Sequence, residues 1–259
     1  MIISSLILGL VEGITEFLPI SSTGHLILTQ SILKIQSTEF WKSFDIFIQL
    51  GAILAVVMLY WKKVWQSRQL FTKILIAFLP TAFIGLTVYK FVKKFLLGND
   101  LIVLGSLLAG GLIIIWFEKW YKQKNIPIEK MTKLEDISTT QAIKIGLFQT
   151  IAIIPGVSRS ASTILGGLFL GVERQAIVEF SFLLAVPTMA AATGLDLIKS
   201  GLKFTTDEWM YMLLGFAVSF LTAVLAIKFL ISYVQKNDFK AFGWYRIVVA
   251  LLGFLVLFY

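Results

Sequence analysis

Residues 12–25 read Glu12-Gly13-Ile14-Thr15-Glu16-Phe17-Leu18-Pro19-Ile20-Ser21-Ser22-Thr23-Gly24-His25. The stretch lies in an apolar run that begins at Met1, yet it holds two glutamates, three consecutive hydroxyl residues and the single histidine of the chain. An ionisable side chain at membrane depth costs about 2.5–3.5 kcal/mol even on the lenient insertion scale, and such residues mark function by default. Scarce chemistry set into a hydrophobic segment is therefore the feature that every other reading has to accommodate.

Of the 259 residues, 58% are hydrophobic and 15% charged. Soluble domains run at about 25% charged and about 45–50% apolar. Apolar runs near 18 residues recur along the whole chain, the pattern of a polytopic membrane protein. The chain has no cysteine, which excludes thiol chemistry and leaves the redox compartment open. No basic n-region or small-residue cleavage site follows Met1, so the first segment is expected to be retained rather than removed as a signal peptide. The net charge of +8 comes mostly from lysines between apolar runs. Loop lysines on the cytoplasmic side explain it without a nucleic-acid partner.

Six segments are long enough to span a bilayer, at 44–61, 74–91, 101–118, 176–198, 209–231 and 242–259. Two more, 2–31 and 141–172, are apolar but interrupted. The first breaks at Leu18-Pro19-Ile20-Ser21-Ser22 and the second at Ile154-Pro155-Gly156-Val157-Ser158. Each half is about 10–14 residues, which suits a re-entrant hairpin better than a full span. The interrupted segments also match one another at one constant offset. Gly9-Leu10-Val11-Glu12 aligns with Gly146-Leu147-Phe148-Gln149, Ser21-Ser22-Thr23 with Ser158-Arg159-Ser160, and Ile27-Leu28 with Ile164-Leu165.

Each unit then contains one hairpin and three spans, and an odd number of crossings inserts the second copy from the opposite side. The expected fold is an all-α integral membrane protein, a single membrane domain over 1–259. It is made of two inverted-topology repeats (about 1–120 and 141–259), each a re-entrant helix hairpin plus three transmembrane helices. Repeats of this kind place their site near the midplane, where the broken helices meet. Loop charge sets the orientation. Eleven cations lie on one side, in the stretches 62–73, 119–133 and 236–240. Six lie on the other: Lys34, Lys42, Lys93, Lys94, Lys199 and Lys203. The richer side is expected in the cytoplasm, which puts the first hairpin and Tyr259 outside.

Glu12 and Glu16 are four apart and share a helix face. Two like charges so close repel unless a cation or proton lies between them, and oxygen ligands suit Mg2+ or Ca2+. Glu12 and Glu16 are the expected metal ligands. After Pro19, the hydroxyls of Ser21, Ser22 and Thr23 stand where an apolar helix restarts, a favoured N-cap composition. The freed N–H groups of such a helix start form an anion site. Ser158, Arg159 and Ser160 repeat the device, with a guanidinium whose fork suits phosphate. His25, three residues after Ser22, falls on the same helix face and is the usual type of base for a serine hydroxyl. Ser22, His25, Glu16 and Arg159 are the expected catalytic set, and Ser21, Thr23, Ser158, Ser160 and Thr163 the expected substrate contacts. Gln49 and Gln149 are weaker candidates, and Glu173, Arg174 and Glu179 are expected at the membrane interface or directly behind the site residues.

The stretch Glu12–His25 strongly resembles the first signature of the undecaprenyl-diphosphate phosphatases, the bacitracin-resistance family, and Pro155–Ser160 resembles its second. Gln49–Val56 and Glu179–Pro187 are similar to further blocks of that family. The resemblance covers essentially the whole chain in order. Ala161 departs from it, standing where the family usually has glycine, which bears on how closely the backbone there approaches a ligand.

The resemblance implies removal of the terminal phosphate from a C55 isoprenyl diphosphate, which recycles the lipid carrier of bacterial wall synthesis and confers bacitracin resistance. It also implies a divalent cation, a phosphate-gripping Arg159 and a multi-pass protein of the bacterial plasma (inner) membrane. The expected partners are an isoprenyl diphosphate lipid and membrane lipids, with a homodimer as one assembly the sequence allows. The competing reading is a transporter or flippase of a phosphorylated lipid or small anion, because inverted repeats with broken helices suit alternating access. The Glu-Glu-Ser-His-Arg set favours hydrolysis, since a carrier needs no nucleophile with an adjacent base.

Overall fold

The computed structural model describes residues 1–96, 99–125, 127–200 and 204–258. Gly98, Lys203 and Tyr259 lie outside the described residues, as do the side chains of Lys93, Lys94 and Lys199. The helices are α1 (Ile2–Thr15), α2 (Ser22–Ile32), α3 (Glu39–Gln66), α4 (Arg68–Phe95), α5 (Asp100–Gln123), α6 (Thr139–Thr150), α7 (Arg159–Phe169), α8 (Arg174–Ser200), α9 (Thr206–Val234) and α10 (Lys240–Phe258). Among the described residues the only β pairing is a single parallel bridge between Thr132 and Val172.

Six of the helices are long and apolar enough to cross a membrane, the organisation of a multi-pass membrane protein. They extend past the apolar windows because the helix continues through flanking charged residues. The clearest case is the charged stretch after residue 61. It is no loop, since α3 runs to Gln66 and α4 restarts at Arg68, capped by Ser67. Pro80 and Pro187 lie within α4 and α8, which continue through them.

The two breaks have local causes. Proline lacks an N–H and restricts the residue before it, and α1 ends at Thr15, four residues ahead of Pro19. After α6 the chain makes one turn of 3-10 helix (Ile151–Ile153), then passes Pro155 and Gly156, the latter at φ +88°. Only glycine adopts that conformation without strain. The residues that cap the restarting helices, Ser21 and Ser158, both take positive φ, 72° and 76°. Two serines held in the same sparsely populated conformation at corresponding places make the local chain path of the breaks alike.

α8 lies at the centre, with Phe180, Phe182, Leu184 and Ala185 fully buried. Phe17, Leu18 and Ile20 of the first break pack in the same core as Ala161 and Ile164 of α7. Outward faces carry exposed Leu79, Phe83, Trp116 and Leu225. Helix packing crosses between the halves: α1 lies on α9, and α6 lies on α4. Glycine permits both approaches. A Cβ on Gly9 would sit 2.4 Å from the Gly215 carbonyl oxygen, and one on Gly146 would sit 2.0 Å from that of Ala77. α3 packs on α8, α5 on α10, α10 on α2 and α5 on α7.

Candidate functional site

The breaks bring the polar residues of both halves together. The Ser22 hydroxyl donates to Oε2 of Glu16 at 2.6 Å. The other carboxylate oxygen, Oε1, accepts from Nη2 of Arg159 at 3.1 Å. Arg159 is held by Nη1, which donates to the Ser181 carbonyl at 2.7 Å and to its hydroxyl at 3.3 Å. The guanidinium also lies 5.8 Å from the Phe17 ring centroid. One continuous chain therefore runs from Ser22 through Glu16 to Arg159, joining the first break to the second. Glu16 and Ser22 are buried, at 8% and 6% exposure.

Ser160 adds a second link, its hydroxyl donating to the Leu18 carbonyl at 2.8 Å. Ser158 caps α7 by accepting from the Ala161 N–H and shares a hydrogen bond with Ser160. The methyl group of Ala161 is accommodated there, buried inside the turn. Thr163 shares a 2.6 Å hydrogen bond with Ser181 and so stands one residue behind Arg159. Ser21 is buried at the N-cap of α2. Thr23 is exposed on the first turn of α2, away from these buried hydroxyls.

His25 is differently placed from the serine–base pair expected of it. Its Nδ1 meets the Ser21 carbonyl at 2.8 Å and its Nε2 meets the Tyr245 hydroxyl at 2.9 Å, with the two rings stacked. A carbonyl only accepts, so Nδ1 carries the proton and Nε2 faces Tyr245. The Ser22 hydroxyl is directed to Glu16 instead.

Two groups at the site are left with unused hydrogen-bonding capacity. Both carboxylate oxygens of Glu12, a residue with no exposed surface, have no hydrogen-bond partner among the described residues, and neither does Nε of Arg159. Buried polar groups are normally satisfied, and an orphan is a sign of an unaccounted ligand. Glu16, Asp45 and Arg159 are the charged groups that act on Glu12. These residues fit a hard cation: a free carboxylate beside a second one supplies oxygen donors. Among the described residues no group of three or more His, Cys, Asp or Glu converges as a metal cage.

Residues 5–252 match the family described as bacitracin resistance protein BacA. The chain belongs to this family. It is 49% identical over 251 residues to the undecaprenyl-diphosphatase of Aquifex aeolicus, covering 96% of this chain and 95% of that protein. It is 48% identical over 256 residues to the one of Persephonella marina, with 99% and 98% covered. The undecaprenyl-diphosphatase of Bdellovibrio bacteriovorus is 46% identical over 254 residues.

Two residues of this family member escape a motif-based reading. Arg246, fully buried in α10, donates to backbone carbonyls of both breaks. Asp45 in α3 accepts from the Gln30 amide at 2.9 and 2.8 Å. Both were accessible to the rule that flags Glu12, since each is an ionisable residue in an apolar span. Gln149, which aligns with Glu12, donates to Thr81 and Thr188. Arg174 pairs with Glu118, and Glu179 with Lys63 at 2.9 Å, both away from the serines.

Proposed function

We propose that this chain is a membrane-embedded phosphohydrolase that converts undecaprenyl diphosphate to undecaprenyl phosphate and inorganic phosphate. The reading is supported by the names of its relatives, and the observation that carries it is the Ser22–Glu16–Arg159 chain across the two breaks. Glu16 is placed to take the serine proton, because its Oε2 already accepts the hydroxyl at 2.6 Å. Ser22 Oγ bonds to the terminal phosphorus as the bond from that phosphorus to the bridging oxygen breaks, and the lipid monophosphate leaves. Water then attacks the phosphoserine, regenerates Ser22 and releases phosphate. Arg159, with its unused Nε–H, faces the charge on the phosphoryl oxygens, a role that prepositioned donors serve best in a dry site.

A divalent cation held by Glu12 and Glu16 neutralises diphosphate charge when bound. His25 is less directly placed than Glu16 to act as base. It holds the Ser21 carbonyl and with it the start of α2, and its Nε2 is available to a proton whenever Tyr245 turns away. Ser21, Ser158, Ser160 and Thr163 shape the anion pocket around the two helix starts.

The architecture we infer is a pair of inverted repeats, each a re-entrant hairpin plus three spans. The matching φ of Ser21 and Ser158 supports it. So does the exchange of partners, in which α1 on α9 is mirrored by α6 on α4 and α10 on α2 by α5 on α7. The same partner exchange favours, as a second reading, movement of a phosphorylated lipid between membrane faces. The bacterial inner membrane, lipid-carrier recycling and bacitracin resistance follow from the phosphatase reading.

The test is phosphate release by purified protein from undecaprenyl diphosphate, set beside tracer movement in sealed vesicles. Release that Ser22→Ala and Glu16→Gln abolish supports hydrolysis at this site. Tracer movement without phosphate release replaces it with transport.

A further inference from the structure

Arg246 has no exposed surface, and no carboxylate pairs with it among the described residues. Its guanidinium offers five N–H bonds in a planar fork, and five backbone carbonyls take them. Nε donates to Leu107 at 3.2 Å. Nη1 donates to Pro19 at 3.3 Å and Val157 at 3.0 Å, and Nη2 to Ser106 at 2.9 Å and Gly156 at 3.0 Å. Pro19 belongs to the first break, Gly156 and Val157 to the second, and Ser106 and Leu107 to α5. The three break carbonyls receive no backbone N–H among the described residues. A helix interruption leaves such acceptors orphaned, and in a membrane no water replaces the missing donors. One side chain satisfies these acceptors, drawn from both interruptions, at once.

The surroundings are shaped for it. A Cβ on Gly110 would sit 2.2 Å from Nη2 and 2.6 Å from Cζ of Arg246. Gly111 lets α10 close on α5, since a Cβ there would meet the Gly243 carbonyl at 2.7 Å. Glycines at both places leave room for a guanidinium between helices.

We infer that Arg246 is the positioning residue of the site, a clamp that sets the register between the two breaks so that Ser22 and Glu16 face Arg159. The inference rests on the phosphatase reading for its kinetic arm only. Arg246 touches neither the serine nor the guanidinium of Arg159. It acts on the backbone two residues from Ser21 on one side and two from Arg159 on the other. Lysine keeps the charge but brings three donors from one point, which cannot span carbonyls from three segments.

The experiment compares wild type, Arg246→Lys and Gly110→Ala as purified full-length protein. It measures hydrolysis of undecaprenyl diphosphate and amide hydrogen exchange. Misplacement of reacting groups by about 1 Å costs about 100-fold, so Arg246→Lys is expected to lose about that much in kcat with KM nearly unchanged. Exchange is expected to quicken about tenfold in both breaks, residues 16–21 and 154–158, and to stay as in wild type in α3 and α9. Gly110→Ala, which displaces the guanidinium from another helix, should reproduce both effects in smaller measure, and it carries the test if Arg246→Lys does not fold. Near-wild-type kcat in both variants overturns the clamp. So does exchange that rises in one break alone, or equally in every helix, since the latter marks general destabilisation. If wild type releases no phosphate, the phosphatase reading fails, while the exchange pattern still decides the clamp.

Discussion

The Ser22 hydroxyl donates a hydrogen bond to Glu16, six residues earlier and across the first break, at 2.6 Å. The contact makes Glu16 a shared residue, with one oxygen on the serine and the other on Arg159 at 3.1 Å. Its neighbour Glu12 is left with both oxygens free. The two glutamates therefore differ in duty, although they are four apart in one sequence motif.

That difference predicts distinct phenotypes. Glu12→Gln removes the free ligand, and the cation concentration for half-maximal activity should rise by at least about 10–100-fold, the loss seen even when supporting groups around a metal are removed. Without cation the variant should melt no lower than wild type, because an unpaired buried carboxylate is itself destabilising. Added cation should raise the melting temperature of wild type and leave that of Glu12→Gln unmoved. Unchanged titration curves in the variant would remove Glu12 from the cation site.

Arg159→Lys tests the fork. Arg159 uses Nη1 on Ser181 and Nη2 on Glu16, leaving Nε without a partner among the described residues and, in the proposed mechanism, free for a phosphate oxygen. An ammonium holds one of these directions and loses the others. A fall in kcat of about 10²–10³ is expected, the usual loss for one donor aimed at developing charge. Folding, read by detergent-solubilised monodispersity and melting, should be preserved. Wild-type turnover in this variant would reduce Arg159 to an ion-pair partner of Glu16.

Hydropathy alone made the six spans legible, and two proline-containing interruptions made the breaks legible. Glu12, Glu16, Ser22 and Arg159 stood out because polar residues at membrane depth are conspicuous against an apolar background. The partner of His25 did not. Spacing by three residues suggests contact with Ser22, but helical side chains lean toward the N-terminus. The imidazole thus folds back over the preceding turn onto the Ser21 carbonyl, and the positive φ of Ser21 turns the Ser22 hydroxyl toward the break. The partners of Arg246, a residue conspicuous in its apolar span, were hidden for another reason. They are all backbone carbonyls, that of Pro19 more than 200 residues away, and no motif advertises a carbonyl.

Topology gives a third prediction. The loop-charge count puts the α5–α6 connection in the cytoplasm. Asn125 is exposed there, at φ 43°, and a chain without cysteine offers a clean background for labelling. A cysteine replacing Asn125 should resist an impermeant thiol reagent in intact cells and react after lysis. One appended after Tyr259, outside the described residues, should react in intact cells. The reverse pattern would invert the proposed orientation.

The last prediction concerns the covalent step, where geometry and spacing point to different bases. With Glu16 on the hydroxyl and Tyr245 on His25, Ser22→Ala and Glu16→Gln should each be nearly inactive and together no worse than either alone, as expected for groups acting as a unit. His25→Ala should lose less than these two, because it removes the support of the Ser21 carbonyl and leaves the proton acceptor in place. Tyr245→Phe should lose less still. General-base removal costs about 10²–10⁴-fold, so the ranking separates the two bases clearly. The bond formed settles the nucleophile, since phosphoserine survives acid and phosphohistidine survives base. An acid-stable phosphoenzyme trapped on brief incubation with substrate, absent in Ser22→Ala, is the expected result. An acid-labile one that persists in Ser22→Ala would make His25 the attacking group, with Tyr245 swinging away to free Nε2. No phosphoenzyme in any variant would leave water as the attacker, with Glu16 as its base and Ser22 holding a phosphate oxygen.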